Sequence, residues 1–158
     1  TIPSTIDIQY DLQTERDTVL ADPTQMNQVI MNLCTNAAQA IGEDTGKITL
    51  KTEEVACDRA FLHEVRPDAE LPAGTYLRLR ISDTGPGMGE DAQKRIFDPF
   101  FTTKARGRGT GLGLSVSYFI ITENHGGTMT LSSAPGRGTR FSIRIPFEHR
   151  MERWGLRI

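Results

Sequence analysis

The sequence predicts a two-layer α/β sandwich of about five strands packed on three helices. Two observations carry this. Separate stretches of strand length alternate apolar and polar side chains, and two longer stretches repeat apolar side chains at the helical period. Both patterns interleave within 158 residues that are 37% hydrophobic and 24% charged, enough for one domain with a sizeable core.

Ile6, Ile8, Tyr10 and Leu12 share one parity and make the first strand. The polar turn "QTERD" leads to a short second strand through Val19 and Ala21. A helix starts near residue 23, because Asp22 can cap it, Pro23 suits its first position and Gln25 stands where a capping-box partner belongs. Met26, Val29, Ile30, Leu33, Ala37 and Ile41 form its apolar stripe, and Gly42 can end it. "KITLKT" (47–52) and "TYLRLRISD" (75–83) then alternate again, with "RPDAELPAG" between them read as loop. A second helix begins near Leu112 and stops at Gly126 and Gly127. "GTMTLSS" (127–133) and "TRFSIRI" (139–145) complete the sheet across the turn "APGRG". No internal repeat is present. Residues 84–111 remain as one long irregular stretch.

Composition excludes some classes. A formal net charge of -2 argues against a nucleic-acid binder. Cys34 and Cys57 have neither CxxC nor metal-ligand spacing, so both read as reduced packing thiols in a cytoplasmic protein. No apolar run approaches the roughly 20 residues of a membrane span. Direct membrane contact is therefore not expected, although a longer parent protein can still be anchored.

Three features point to a site. Asn32 and Asn36 lie one turn apart on a flank of the first helix, in a row with Gln28 and Gln39. Amides on a wet flank are bland; amides on the wall of a site are donors and ligands. Asp83 continues the inward parity of Leu77, Leu79 and Ile81, and a carboxylate facing a core needs a donor. The irregular stretch opens with "DTGPGM" and closes with "GRGTGLGLS" running into a helix. Such a terminus, with exposed N–H groups and a positive dipole end, cradles phosphate. Lys104, Arg106 and Arg108 add cations there with no acid among residues 101–110.

Five elements in order, "NLCTNAAQA", "DTGPGM", "IFDPFFTTK", "GTGLGLS" and "GRGTRF", resemble the N, G1, F, G2 and G3 boxes of the ATP-binding domain of two-component sensor histidine kinases. "DPFFTTK" with "GTGLGLS" is similar to the nitrogen-regulation and hybrid branch. The resemblance implies an α+β Bergerat-type fold with a mixed sheet over residues 1–147, leaving 148–158 as a linker or tail. It implies ATP and Mg as cofactors. Asn36 is then the Mg ligand, Asn32 contacts phosphate or metal-bound water, and Gln39 and Ala40 complete that helix wall. Asp83 accepts from the adenine amine, Gly85, Gly87 and Met88 surround the base, and Thr139 lines the same pocket. Phe97, Thr102, Thr103 and Lys104 form the start of a lid, with Phe100 and Phe101. Gly109, Thr110, Gly111, Leu112, Gly113 and Leu114 hold the phosphates. Asn32 and Lys104 are the expected catalytic residues.

The same resemblance sets the partners. The γ-phosphate is expected to pass to a histidine on a separate dimerisation hairpin of a homodimeric parent, and from there to a response regulator receiver domain. The isolated domain is expected to be a monomer. "HEVRP" (63–67) looks like the phosphoacceptor box, but it lacks the threonine and follows the N box instead of preceding it. His63 is therefore not expected to be the acceptor. His125 looks like the turn after the second helix, and His149 has no context. Gyrase, chaperone and mismatch-repair relatives hydrolyse ATP with a glutamate in the N-box helix; here Gln25 and Gln28 stand in that stretch, with no glutamate before Asn32. A non-catalytic nucleotide-binding module is the other alternative.

Overall fold

The fold was obtained as a computed structural model, in which residues 3–12, 14, 21–99, 101 and 112–147 are described. Its sheet has five strands: β1 (Ile6–Leu12), β2 (Gly46–Cys57), β3 (Gly74–Asp83), β4 (Thr128–Ser133) and β5 (Thr139–Pro146). Their order is β1-β2-β3-β5-β4. β1 runs parallel to β2 and every other pairing is antiparallel, so the sheet is mixed as expected.

Helices α1 (Pro23–Ile41) and α4 (Gly113–Phe119) cover one face, α4 continuing into a π-helical turn (Ile120–Asn124). α1 buries Val29, Leu33, Cys34, Ala37, Ala38 and Ile41 against Ile48, Ile81, Phe141, Ile143 and Ile145 from the strands. Side chains such as Leu33, Ile48 and Ile81 each contribute about 1.5–3 kcal/mol on burial. That pairing fixes α1 across the strand ends where the site lies.

The start of α1 matches the sequence, because the Asp22 carboxylate accepts from the backbone N–H of Thr24 and Gln25. The reciprocal half of the capping box is absent. The Asp22 N–H donates to His125 Nε2 at 3.0 Å, and the Gln25 carbonyl accepts from Asn124 at 3.2 Å. A backbone N–H can only donate, so Nε2 is the acceptor and Nδ1 carries the hydrogen that reaches the Ile120 carbonyl at 2.8 Å. His125 is thus a fully buried clasp between the π-helical turn and the cap of α1.

Other expectations need correction. Ala21 lies in no strand, and Val19 falls outside the described residues. β2 extends five residues beyond the expected 52, to Cys57. The extension is held by pairing with β3, where Glu53 faces Arg78 and forms an ion pair with it. Two short helices were not assigned: α2 (Arg59–Val65) after β2, and α3 (Glu90–Arg95) inside the stretch read as irregular. α2 covers the opposite face of the sheet locally, where Cys57, Leu62 and Tyr76 are buried together. Burial pushes the Tyr76 hydroxyl up to about 12, and it donates to the Pro72 carbonyl at 2.7 Å. Cys34 and Cys57 are both buried and free, as expected of packing thiols. No described helix is long and apolar enough to cross a membrane. Residues 148–158, with His149, lie outside the described residues.

Candidate nucleotide site

Asp83 ends β3 on the helix-facing side, and its carboxylate accepts from the Gly85 N–H at 2.8 Å. Thr139, its register partner on β5, adds a backbone hydrogen bond. Burial nevertheless lifts the Asp83 carboxyl above the usual aspartate value, the two hydrogen bonds offsetting part of the rise. A half-buried, ionisable acceptor is the group needed to receive an amine hydrogen from a base.

The glycines here are demanded by contact. A Cβ on Gly85 would lie 2.9 Å from Asp83 Oδ1 and 3.3 Å from Ala40 Cβ, so Gly85 is wedged between the aspartate and α1. Gly87 and Gly138 have φ of 73° and 74°, and a Cβ on either would sit 2.0 Å from a backbone oxygen, of Ala134 and Asp83 respectively. The loop after β3 and the turn before β5 therefore pack backbone on backbone. Side chains lock them further. Ser133 Oγ accepts from the Met88 N–H at 2.9 Å, donates to the Gly138 carbonyl and lies 2.9 Å from Thr139 Oγ1. Gln93 donates to the carbonyls of Met88 and Ser133 at 2.9 and 2.8 Å. Sequence reasoning missed Ser133 and Gln93, since a strand-end serine and a glutamine on a short polar helix carry no local signal.

The second end of the site joins α1 to α4. Asn32 donates through Nδ2 to the Gly113 carbonyl and to Ser117 Oγ, both at 3.3 Å. The Asn36 side chain, half-buried one turn on, makes no hydrogen bond among the described residues. Leu114 packs against the main core while Leu112 and Gly113 stay exposed at the start of α4. Phe97 joins the core, stacking on Tyr118 at 4.8 Å and meeting Phe141 edge-on at 6.3 Å. Arg95 lies over the ring of Phe101 at 4.8 Å.

α1 acts as the ruler between the ends. Asn32, Asn36 and Ala40 follow at four-residue steps along one face, spanning about 12 Å at 1.5 Å per residue. Ala40 abuts Gly85 beside Asp83, and Asn32 reaches Gly113. That separation suits a molecule with a flat base at one end and phosphates at the other. Gln39, exposed on the same face, lines neither end by contact. Thr102, Thr103, Lys104, Gly109, Thr110 and Gly111 lie outside the described residues, as do Phe100, Arg106 and Arg108.

His63 is exposed on α2, at the Gly74 end of β3. The ten residues of β3 place that end roughly 30 Å from Asp83.

Comparison with known proteins agrees with this geometry. Residues 21–149 match the family described as histidine kinase-, DNA gyrase B- and HSP90-like ATPase. The sensor kinase CckA of Brucella abortus is 43% identical over 143 residues, covering 89% of this chain and 14% of CckA. The catalytic domain of the histidine kinase ThkA superposes with a TM-score of 0.68 at 34% identity, over 90% of this chain and 80% of that one. ThkA in complex with the response regulator protein TrrA matches with a TM-score of 0.64 at 30% identity, over 91% of this chain and 35% of that one. This chain thus spans about a seventh of the length of CckA. With Asp83 at the helix-facing end of β3, the glycine contacts and the amide row of α1 all in place, the chain belongs to the histidine kinase-, DNA gyrase B- and HSP90-like ATPase family and is homologous to sensor histidine kinases.

Proposed function

We propose that this chain is the ATP-binding catalytic domain of a cytoplasmic sensor histidine kinase module, holding Mg-ATP and presenting its γ-phosphate to a histidine on a separate dimerisation hairpin. The observation that carries the reading is the α1 row, which links Asp83 and Gly85 at one end to Gly113 at the other. Adenine stacks into the pocket of Gly85, Gly87, Met88 and Thr139, its amine donating to Asp83. Guanine presents a carbonyl at that place, so ATP is favoured.

The donor set fits magnesium, which prefers hard oxygens and retains waters. Asn36 offers an amide oxygen and Asn32 a second, while α1 carries no carboxylate, so negative ligands come from the nucleotide. Bound there, the ion supplies charge neutralisation at the phosphates. The chain itself positions: α1 holds the amides and the start of α4 holds the phosphates, while the positive charge of Lys104 suits a triphosphate. Transfer in place of hydrolysis is supported by the glutamate-free α1, in which Gln25 is tied to Asn124. Because ThkA is seen with TrrA, a receiver domain is the expected downstream partner of the parent kinase, itself a homodimer with this domain monomeric in isolation.

Asp83→Asn tests the base contact. The raised carboxyl means that the native state binds this proton more tightly. Its stabilising effect is full below the ordinary aspartate value of 3.8 and is lost as pH rises through the higher folded value. At neutral pH the ionised carboxylate is therefore held at a cost, and Asp83→Asn should leave the unfolding temperature equal or higher. ATP preference over GTP should fall at the same time. In the parent chain, ATP affinity should decline as pH drops through the raised Asp83 value. Calorimetric competition at several pH values checks both, and unchanged selectivity in the variant would remove Asp83 from base recognition.

A further inference from the structure

Ser117 was not anticipated as part of any site, yet it is fully buried and its hydroxyl sits between Asn32 and Gly113. We propose that Ser117 is a positioning residue, holding the Asn32 side chain by its amino group so that only the carbonyl oxygen Oδ1 faces the ligand. The inference rests on the nucleotide site proposed above.

Hydrogen-bond direction makes the case. The Gly113 carbonyl can only accept, so the Asn32 atom facing it at 3.3 Å must be Nδ2. Ser117 donates its own hydrogen to the same carbonyl at 2.8 Å, which leaves the lone pairs of Oγ for the second Asn32 N–H at 3.3 Å. Both Asn32 donors are thereby used within the α1 to α4 contact. Among the described residues Oδ1 has no hydrogen-bond partner. An amide oxygen repels a phosphate oxygen, since both are acceptors, and attracts a cation or the hydrogens of a metal-bound water. Of the two contacts that the sequence left open for Asn32, the geometry selects the metal-bound water. A second consequence follows for α4. Asn32 is fastened to the first turn of the helix that begins at the phosphate end, so ligand engagement at Oδ1 is felt at Gly113.

The test compares the parent chain with Ser117→Ala, Asn32→Ala, the double variant and Ser117→Thr, each titrated with ATP by calorimetry in magnesium and again in EDTA. With its one hydrogen bond to Asn32 lost, along with that to the Gly113 carbonyl, Ser117→Ala should weaken binding about fivefold in magnesium and less than twofold in EDTA. Ser117→Thr, which keeps the hydroxyl, should recover most of the loss. The double variant should bind no more weakly than Asn32→Ala, because the two act as one unit. In nucleotide-free protein, the Asn32 side-chain amide hydrogens should exchange slowly by NMR and faster in Ser117→Ala. Equal losses with and without magnesium, additive losses in the double variant, or unchanged binding in Ser117→Ala would each overturn the role of Ser117 alone. A parent chain that binds no Mg-ATP would overturn the nucleotide reading together with it.

Discussion

Gly138→Ala is expected to destabilise the domain by about 2–5 kcal/mol and to weaken ATP binding more than tenfold. A left-handed backbone costs a residue with a Cβ about 1–2 kcal/mol, and overpacking a tight contact costs about 1–3 kcal/mol more. Here the φ is 74° and the new Cβ would lie 2.0 Å from the Asp83 carbonyl oxygen. Backbone cannot rotate out of the way as a side chain can, so β3 and the turn before β5 must separate. Asp83 and Thr139 are register partners at that point, and the base pocket opens with them. Gly136 provides the control, with a similar φ of 78° and nothing within 4 Å of its Cβ. Gly136→Ala should show the backbone cost alone, about 1–2 kcal/mol, and keep its ATP affinity. Denaturant unfolding with calorimetry separates the two, and equal behaviour of both variants would show that the close approach to Asp83 is unimportant.

Asn36→Ala should weaken Mg-ATP binding at least about tenfold, or 1.4 kcal/mol, while leaving metal-free ATP binding nearly unchanged. The side chain is half-buried and has no hydrogen-bond partner among the described residues, so its removal should disturb the fold little. The loss should therefore appear in the magnesium dependence. Equal affinity of variant and parent in magnesium would exclude Asn36 as the ligand.

The Asp83 end of the site was legible because its residues announce themselves locally. A carboxylate on an inward parity followed by Gly85 and Gly87 marks a place of close approach, and in the fold the close neighbours of Gly85 are Asp83 and Ala40 of the chain itself. α1 was equally plain, since a cap, a proline and an apolar stripe coincide. What escaped was settled by distant partners or by too little chain. Gln25 fits a capping box by spacing, yet His125, 103 residues away from Asp22, takes the N–H that Gln25 would have met. α3 has six residues and buries none of them, so no periodicity exists to read. α2, with seven, is too short for its period to be read and rests on a secondary cluster behind the sheet. Ser117 became visible only once α4 lay against α1.

Under the proposed function, nucleotide is held here and phosphate is accepted elsewhere. Binding and transfer should therefore be separable. Incubation of the isolated chain with γ-labelled ATP and magnesium should give bound nucleotide, no stable label on protein and only very slow hydrolysis. Adding a matching dimerisation hairpin in trans should then yield acid-labile, base-stable phosphohistidine on the hairpin, because a tether chiefly raises effective concentration. Label on His63 of the isolated chain, or rapid multiple-turnover hydrolysis without the hairpin, would contradict it.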